Sequence, residues 1–391
     1  MPDEMIVASL FSGVAGFELG LEKAGHRTAM FCECDPAASA VLRKRFPDVL
    51  IHPDVRELEC LPGDIDLVTA GFPCQDLSQA GRANGINGAK SRLVSHLFRI
   101  LAESDVNSVL IENVPFMLHL EKGQGMRFLT SKLESLDYQW AYRVLDARAF
   151  GVPQRRNRVF LLASRDFDPG SVLLDPGVAP EESGTSSQCP YGFYWTEGNR
   201  GLGWAVDAVP PIKGGSGRSI PSAPAIWFTD GRIATPDIRD AERLQGFPAG
   251  WTQPAEAVTS PRQRWRLVGN AVCVAVSEWI GKRLCDVTSR DGFIGRELED
   301  EAPWPSAAFG GPGKSRTGVV TTPWPCRRSC SGLQEFLRFP TRPLSHRAVT
   351  GFRSRLAASK LRYPPDFMTA LMQHEARCLD EMRGAELEVR A

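Results

Sequence analysis

The sequence predicts an α/β fold built on a mostly parallel sheet, and three observations support this prediction. Short apolar runs, which are typical of buried strands, alternate with stretches whose apolar residues recur every three or four positions, as in helices. The first run, residues 5–11, leads through a glycine-containing turn into a helix. Several runs end in a polar or reactive side chain, as at Glu33, Cys74 and Glu112. Open sheets of this class bind ligands at the carboxyl ends of their strands.

The first strand and turn have the pattern of a cofactor-binding unit. Glycines in the turn at 12–17 (SGVAGF) let the backbone approach a ligand closely, and the helix that follows presents its positive end. An acidic residue about twenty positions after such a turn is typical of a carboxylate that binds a ribose. Two acids end the second predicted strand. We assign Asp35, which precedes Pro36, to the helix cap and Glu33 to the ribose.

A short third strand is followed by Asp54 at the same predicted edge. Its carboxylate could accept a hydrogen bond from the amino group of an adenine. It could equally be a loop carboxylate without a ligand.

The fourth predicted strand ends at Gly71 and is followed by Phe72-Pro73-Cys74. Pro73 fixes its own backbone angle and restricts the residue before it, so the cysteine is held on a rigid corner. The segment after it, residues 76–90, is small, polar and glycine-rich, as in a mobile loop. These features favour a nucleophilic thiol beside a lid. The alternative is a small buried hydrophobic residue, the usual environment of a free cysteine.

The fifth predicted strand, residues 107–111, ends at Glu112, which precedes Asn113-Val114-Pro115. This arrangement places a carboxylate at the same sheet edge as Cys74. Further along, residues 150–158 (FGVPQRRNR) lead into another strand and bring a cluster of arginines.

The totals of the sequence exclude several classes of protein. The 391 residues carry 46 basic and 46 acidic side chains, so the chain as a whole has no basic signature. Its ten cysteines form no CxxC pair, and we predict no metal site. The scattered cysteines favour a reducing, cytoplasmic location. No apolar run reaches the 18 or so residues of a membrane span.

The periodicity is lost between residues 165 and 235, where 11 glycines and 8 prolines occur. Aromatic residues such as Tyr191 and Trp204 argue against disorder and favour a loop-rich recognition module. A later segment, 302–373, holds eleven Lys or Arg against two acids, a net charge of +9. Its basic and aromatic residues favour contacts with phosphates. A protein-binding extension is the alternative.

The order of these motifs resembles that of the DNA (cytosine-5)-methyltransferases. The matching segments, in order, are LFSGVAG, FCECDP, HPDV, GFPCQ, IENV, QRRNR, RDAERLQGFP and GNAV. The similarity covers residues 5–163 and 236–285. It differs from the usual family pattern at Ser9, where an aspartate is common, and at Ala15, where a glycine is common. The interval between QRRNR and RDAERLQGFP is also short for a target recognition domain.

The resemblance implies a bacterial enzyme that uses S-adenosylmethionine to methylate a flipped-out cytosine in duplex DNA. It implies a Rossmann-like domain with a mixed, mostly parallel sheet, a small irregular target recognition domain and a basic C-terminal extension. In catalysis, Cys74 would add to carbon 6, Glu112 would hold a proton on ring nitrogen 3, and Arg156 and Arg158 would fix the ring oxygen, the glutamate and the loop. The implied cofactor site consists of Phe11, Ser12, Gly13, Val14, Ala15, Gly16, Glu33, Cys34, Asp54, Val55, Pro73, Leu93, Asn270, Ala271 and Val272.

We therefore predict four units, namely a catalytic domain at 1–164, a target recognition region at 165–268, a returning helix at 269–290 and a basic extension at 291–391. The expected partners are double-stranded DNA and possible restriction or defence-system proteins, with no membrane and a monomeric enzyme. A solitary methylase, the modifying part of a restriction system and a phage-defence methylase would share this sequence pattern. Methylation of cytosine in tRNA by the same fold is the alternative activity.

Overall fold

The computed structural model describes residues 4–73, 93–179, 189–199, 201–214, 223–287, 295–299 and 301–390. The strands are β1 (Ile6–Leu10), β2 (Arg27–Cys32), β3 (Leu50–His52), β4 (Leu67–Ala70), β5 (Ser108–Asn113), β6 (Gln139–Asp146), β7 (Asn157–Ser164), β8 (Tyr191–Phe193), β9 (Ala205–Val206), β10 (Ala225–Trp227), β11 (Ile233–Thr235), β12 (Gly295–Glu297), β13 (Ala307–Gly311), β14 (Lys314–Val319) and β15 (Arg342–Pro343). The helices are α1 (Gly16–Lys23), α2 (Pro36–Arg45), α3 (Leu93–Ala102), α4 (Gln124–Glu134), α5 (Gly170–Leu173), α6 (Ile238–Leu244), α7 (Arg264–Asn270), α8 (Val274–Cys285), α9 (Leu333–Phe336), α10 (His346–Ala357) and α11 (Pro365–Arg390).

Within these residues, ten strands form one sheet in the order β12-β14-β13-β6-β7-β5-β4-β1-β2-β3. Strands β3, β2, β1, β4 and β5 run parallel to one another. The other five strands of this sheet, β7, β6, β13, β14 and β12, run antiparallel to their neighbours. The predicted α/β fold with a mixed sheet is confirmed. The parallel half carries the polar strand ends, because its strands all leave the sheet at one edge.

Both faces of this sheet are covered by apolar side chains, as expected for parallel strands. On one face, Val109 and Ile111 of β5 pack into a cluster with α3 and α4. On the other, Leu110 packs with Trp279 and Ile280 of α8. Successive side chains of a strand point to opposite faces, so one strand serves both cores.

Helix α8 returns to the sheet and packs directly on α1. A side chain at Gly16 or Gly20 would overlap this helix, since a Cβ there would lie 2.3 Å from the Val272 oxygen and 2.5 Å from Ser277 Cβ, respectively. The Ser277 hydroxyl donates a 2.6 Å hydrogen bond to the carbonyl of Phe17. This close packing places residues 270–272 beside the turn that precedes α1.

A second sheet has the order β15-β11-β10-β8-β9. Its strands are antiparallel, and the side chains of Phe193, Ala225 and Ile233 share one apolar cluster with α10 and α11. Phe193 lies 5.2 Å from Phe352 and 5.0 Å from Phe367, ring centre to ring centre. The region between β7 and α6 is therefore ordered around its aromatic residues where the structure describes it, as the sequence indicates.

The segment after residue 291 does not stand apart as the predicted extension. Strand β13 pairs with β6 of the main sheet, and β15 pairs with β11 of the second sheet. The apolar residues of α10 and α11 complete the core of the second sheet. The chain after residue 291 is therefore not a separate unit, because it adds strands to both sheets. The short insert noted in the sequence cannot bury its own sheet, and the C-terminal helices supply the missing face.

Two smaller features differ from or add to the sequence analysis. Helix α6 begins after Asp237, whose carboxylate caps the helix by accepting a hydrogen bond from the Arg239 amide. None of the helices described is both long and apolar enough to cross a bilayer.

Candidate active site

The predicted site residues meet at one edge of the main sheet. Strands β1, β2, β4 and β5 are parallel neighbours, and they end next to Phe11, Glu33, Gly71 and Glu112. The parallel pairing itself brings these residues together, because all four strands run in the same direction.

The turn after β1 is held by the Glu33 carboxylate. Its two oxygens accept hydrogen bonds of 2.7 Å from the amides of Gly13 and Asp35. Burial raises the pKa of Glu33, while these amides oppose the shift. The side chain therefore has a fixed position at the end of β2, and each oxygen retains a lone pair for a ligand hydroxyl.

A cavity of about 300 Å³ opens beside this turn. Eleven of the predicted cofactor residues line it: Phe11, Gly13, Val14, Glu33, Cys34, Asp54, Val55, Pro73, Leu93, Asn270 and Ala271. Three others, Ser12, Gly16 and Val272, line an adjoining cleft that also reaches Glu112.

Ala15 lines neither space. Its side chain is fully buried, and its backbone has a φ of 65°, in the left-handed region that favours glycine. The methyl group points into a cluster with Phe31 and Val41 rather than toward the cavity. The alanine at this position therefore strains the turn without narrowing the pocket.

Asp54 lies in the cavity wall but is already paired. Both of its carboxylate oxygens contact the guanidinium of Arg56, and this pairing holds the pKa of Asp54 below its usual range. Arg56 also lines the cavity and was not predicted from the sequence. Its position two residues after Asp54 is the sequence signal that could have identified it.

Asp35 and Arg266 form an ion pair at the rim of the same cavity. Asp35 also caps α2, accepting hydrogen bonds from the amides of Ala37 and Ala38, as predicted. Arg266 comes from α7, 231 residues later. Sequence analysis did not find it, because nothing local relates it to the cofactor turn.

Glu112 lies at the end of β5 with its side chain 11% exposed. Its Oε1 is 3.0 Å from Nε of Arg158, which comes from the neighbouring strand β7. Burial raises the pKa of Glu112, although Arg158 and Arg156 oppose that shift. The structure thus brings Glu112 and Arg158 together as predicted, and burial favours the protonated carboxyl.

Arg156 has a different environment from the one predicted. Its guanidinium is buried and donates to the carbonyl oxygens of Ile212, Gly269 and Ala271, at 3.2, 3.1 and 2.9 Å. Burial lowers its pKa to about 9. These bonds join the residue before β7 to the end of α7 and to the segment between β9 and β10 of the second sheet. Arg156 therefore positions the wall of the cavity, and its two terminal nitrogens face main-chain carbonyls.

The corner that precedes the predicted nucleophile is tied to β5. Asn113 donates a 3.0 Å hydrogen bond from its amide to the carbonyl of Phe72, whose ring packs edge-on against Phe11. Pro73 lines the cavity. Cys74 itself, and the loop that follows it, lie outside the described residues. Among the described residues no cluster of metal-binding side chains is found.

Comparison with known proteins identifies the family. Residues 5–176 match the family model of the C-5 cytosine-specific DNA methylases. The chain is 47% identical to the type II methyltransferase M2.BsuMI of Bacillus subtilis (strain 168), over 97% of this chain and 100% of that protein. It is 33% identical to the type II methyltransferase M.NgoBV of Neisseria gonorrhoeae, over 41% of each chain.

The fold agrees with this relationship. The crystal structure of the S. pombe Dnmt2 methyltransferase superposes on 72% of this chain and 98% of its own, with a TM-score of 0.53 and 20% identity. Similarity at that level concerns the fold alone. The full-length relationship to a type II methyltransferase and the match to the family model are specific, and the chain belongs to the C-5 cytosine-specific DNA methylase family.

Proposed function

We propose that this DNA cytosine-5 methyltransferase uses S-adenosylmethionine and acts on a cytosine that has been flipped out of double-stranded DNA. The family relationship supports the reaction and the DNA substrate. The observation that carries the site assignment is the buried pair of Glu112 and Arg158, next to the corner at Pro73 and to the Glu33 cavity.

The residues around the cavity fit S-adenosylmethionine. Glu33 offers fixed carboxylate oxygens to the ribose hydroxyls, and the half-buried ring of Phe11 offers an apolar surface to the adenine. Asp54 retains acceptor capacity beside its arginine partner for the adenine amino group. The turn at Gly13 lies before the N-terminus of α1, which favours the cofactor carboxylate. When bound, the cofactor supplies an electrophilic methyl group for carbon 5.

The chain's own residues prepare the cytosine for that transfer. The Cys74 thiolate forms a bond to carbon 6, and the ring electrons shift toward carbon 5. The protonated carboxyl of Glu112 donates to ring nitrogen 3, so the negative charge that develops on the ring is neutralised. After methylation, a base removes the proton from carbon 5, and the bond to sulfur breaks to return the thiolate. Arg158 fixes the orientation of Glu112 throughout.

A base inside a duplex cannot reach a carboxyl at the end of β5, so the cytosine must leave the stack.

We further propose that the enzyme is the modifying component of a type II restriction-modification system. The full-length similarity to a type II methyltransferase supports this role. Methylation of tRNA is not favoured, because the curated relatives in the comparison are type II methyltransferases.

Trapping with 5-fluorocytosine tests the chemistry. Fluorine at carbon 5 cannot leave as a proton, so the wild-type enzyme should form a stable covalent complex with fluorocytosine DNA in the presence of S-adenosylmethionine. Cys74→Ala should form none and should still bind DNA. An adduct with the Cys74→Ala variant would exclude this thiol as the nucleophile. Absence of 5-methylcytosine in DNA treated with the wild-type enzyme would contradict the function itself.

The cofactor assignment has a separate test. Glu33→Gln replaces a carboxylate that accepts two amide hydrogen bonds with a side chain that has one acceptor oxygen. We expect affinity for S-adenosylmethionine, measured by calorimetry, to fall about 10- to 100-fold. Asp48→Asn, at an exposed loop residue, serves as the control. Equal affinity in both variants would place the ribose elsewhere.

A further inference from the structure

A large open groove lies at one end of the second sheet, with a volume of about 1,140 Å³. Three separate parts of the chain form its walls. Trp195 and Thr235 come from the second sheet, Arg262 and Trp265 from the segment that begins α7, and Arg342 and Ser345 from the C-terminal segment. We call this space the Trp195–Trp265 groove. The catalytic chemistry proposed above does not use it.

The groove and the cofactor cavity are lined by adjacent residues of α7. Trp265 precedes Arg266, which lines the cofactor cavity. Trp195 follows Tyr194, whose hydroxyl donates to Pro211 and whose ring packs 3.8 Å from Nζ of Lys213. Helix α7 thus has one end at the groove and the other, at Asn270, in the cofactor cavity.

The charged side chains of the groove favour a polyanion. Arg262 and Arg342 are exposed, and in the described part of the chain neither side chain has a hydrogen-bond or ion-pair partner. The acid in the wall, Asp237, is bonded to Arg239 at 2.8 Å. Among the described residues, the groove therefore presents two uncompensated guanidinium groups on walls from different parts of the chain.

Its aromatic side chains complement these charges. Trp195 is half-buried, and its indole N–H is already bonded to the carbonyl of Ala223 at 2.9 Å. Trp265 is also half-buried and packs on the core beneath α6. Half-buried indoles leave apolar ring surface for a base or sugar, while arginines contact phosphates or base edges.

We propose that the Trp195–Trp265 groove holds the DNA that flanks the target base, and that Arg342 helps to select the target sequence. The second wall of the groove then comes from a segment that follows the last helix of the catalytic domain. This inference rests on the proposed function, and it adds a recognition element outside the interval between residues 165 and 268. DNA is the occupant because two exposed arginines, unpaired within the described residues, and two aromatic surfaces meet there, beside a site that acts on DNA.

Charge substitutions in the full-length enzyme test the proposal. Arg342→Ala and Arg262→Ala should each weaken binding to a DNA duplex on the order of tenfold and reduce the salt slope of log affinity by about 0.9. Arg342→Lys should leave the target sequence relaxed at one position, because a lysine cannot replace the guanidinium at a base edge. Full recovery of both the salt slope and the target sequence by the lysine would indicate a phosphate contact and would overturn the role of Arg342 in target selection. Genomic bisulfite sequencing reads that sequence.

The matched control is Arg296→Ala, at an exposed arginine of β12 on the far edge of the main sheet. It removes the same charge and should leave methylation, affinity and salt slope unchanged. The proposal is overturned if the Arg342 and Arg262 variants methylate DNA with the affinity, slope and target profile of the control. That result would indicate that the groove binds a protein partner or no ligand. A failure of the wild-type enzyme to methylate DNA would contradict the proposed function instead.

Discussion

Nε of Arg158 lies 3.0 Å from Oε1 of Glu112 across two antiparallel strands. Glu112 faces Phe160 in the register of β5 and β7, and Arg158 lies two residues further along the same face. An arginine at this distance normally lowers the pKa of a carboxyl. Here burial has the larger effect, and the pKa of Glu112 is raised. The pair thus combines a fixed orientation with a carboxyl that readily holds a proton.

Replacing Glu112 with glutamine tests this combination. We expect turnover to fall about 100- to 1,000-fold, because an amide cannot transfer a proton to ring nitrogen 3. Affinity for S-adenosylmethionine should hardly change. Single-turnover methylation and calorimetry measure the two quantities. Glu297→Gln, at an exposed position in β12, is the matched control.

The pH dependence follows from the same observation. A raised pKa means that Glu112 loses its proton only at a pH above its ordinary range, so the wild-type rate should fall as the pH rises through that pKa. The Glu112→Gln variant lacks this group and should lack that decline. A decline of equal midpoint in both enzymes would assign it to another residue.

Replacing Arg156 should reduce the stability of the protein more than its catalytic rate. In Arg156→Met, three buried carbonyl oxygens lose their donors, each at a cost of about 1–3 kcal/mol. We expect a lower thermal unfolding midpoint and weaker cofactor binding, because Ala271 lines the cavity. Arg158→Lys should show the opposite pattern, with normal stability and reduced turnover. Normal stability of Arg156→Met would restore the catalytic role predicted from the sequence.

Glu18 offers a test of buried charge away from the reacting atoms. Its side chain is enclosed between α1 and the sheet, where it accepts a 2.6 Å hydrogen bond from the Thr69 hydroxyl. Its second oxygen has no partner among the described residues, and burial raises the pKa.

A raised folded-state pKa means that the folded protein keeps a proton that the unfolded chain has lost. This contribution to stability is complete below the ordinary glutamate pKa and disappears as the pH rises through the folded value. Glu18→Gln removes the titration. Relative to the wild type, the variant should therefore gain stability as the pH rises above the ordinary glutamate pKa, as measured by denaturant midpoints. A constant difference between the two proteins would show that Glu18 does not titrate there.

The C-terminal segment should be indispensable for folding. A chain ending near Asp286 would lose β13 from the edge of β6 and the helices that cover Phe193. We expect this truncated protein to be insoluble or partly unfolded, as judged by circular dichroism and gel filtration. A soluble, active truncated enzyme would mean that the second sheet is stable alone. For the same reason, exchanging residues 165–235 for those of a relative should change the target sequence only when residues 331–390 are exchanged with them.

Local sequence signals determined the catalytic framework. Strand, glycine turn and helix placed Gly13 at the cofactor edge, and the acid twenty residues later proved to hold that turn. Glu112 was found because a carboxylate follows a buried strand, and parallel strands of one sheet must end together. These features depend on short segments whose backbone geometry is encoded by neighbouring residues.

Tertiary structure decided what depends on distant segments. The net charge of +9 between residues 302 and 373 suggested an exposed extension, yet its apolar residues complete two cores. Several of its arginines form hydrogen bonds within the protein. Arg355, for example, donates to the carbonyls of Trp195 and Glu197. Nothing in the sequence indicated the three carbonyl groups that bind Arg156. Main-chain oxygens carry no residue identity, so only the fold could show which side chains they engage.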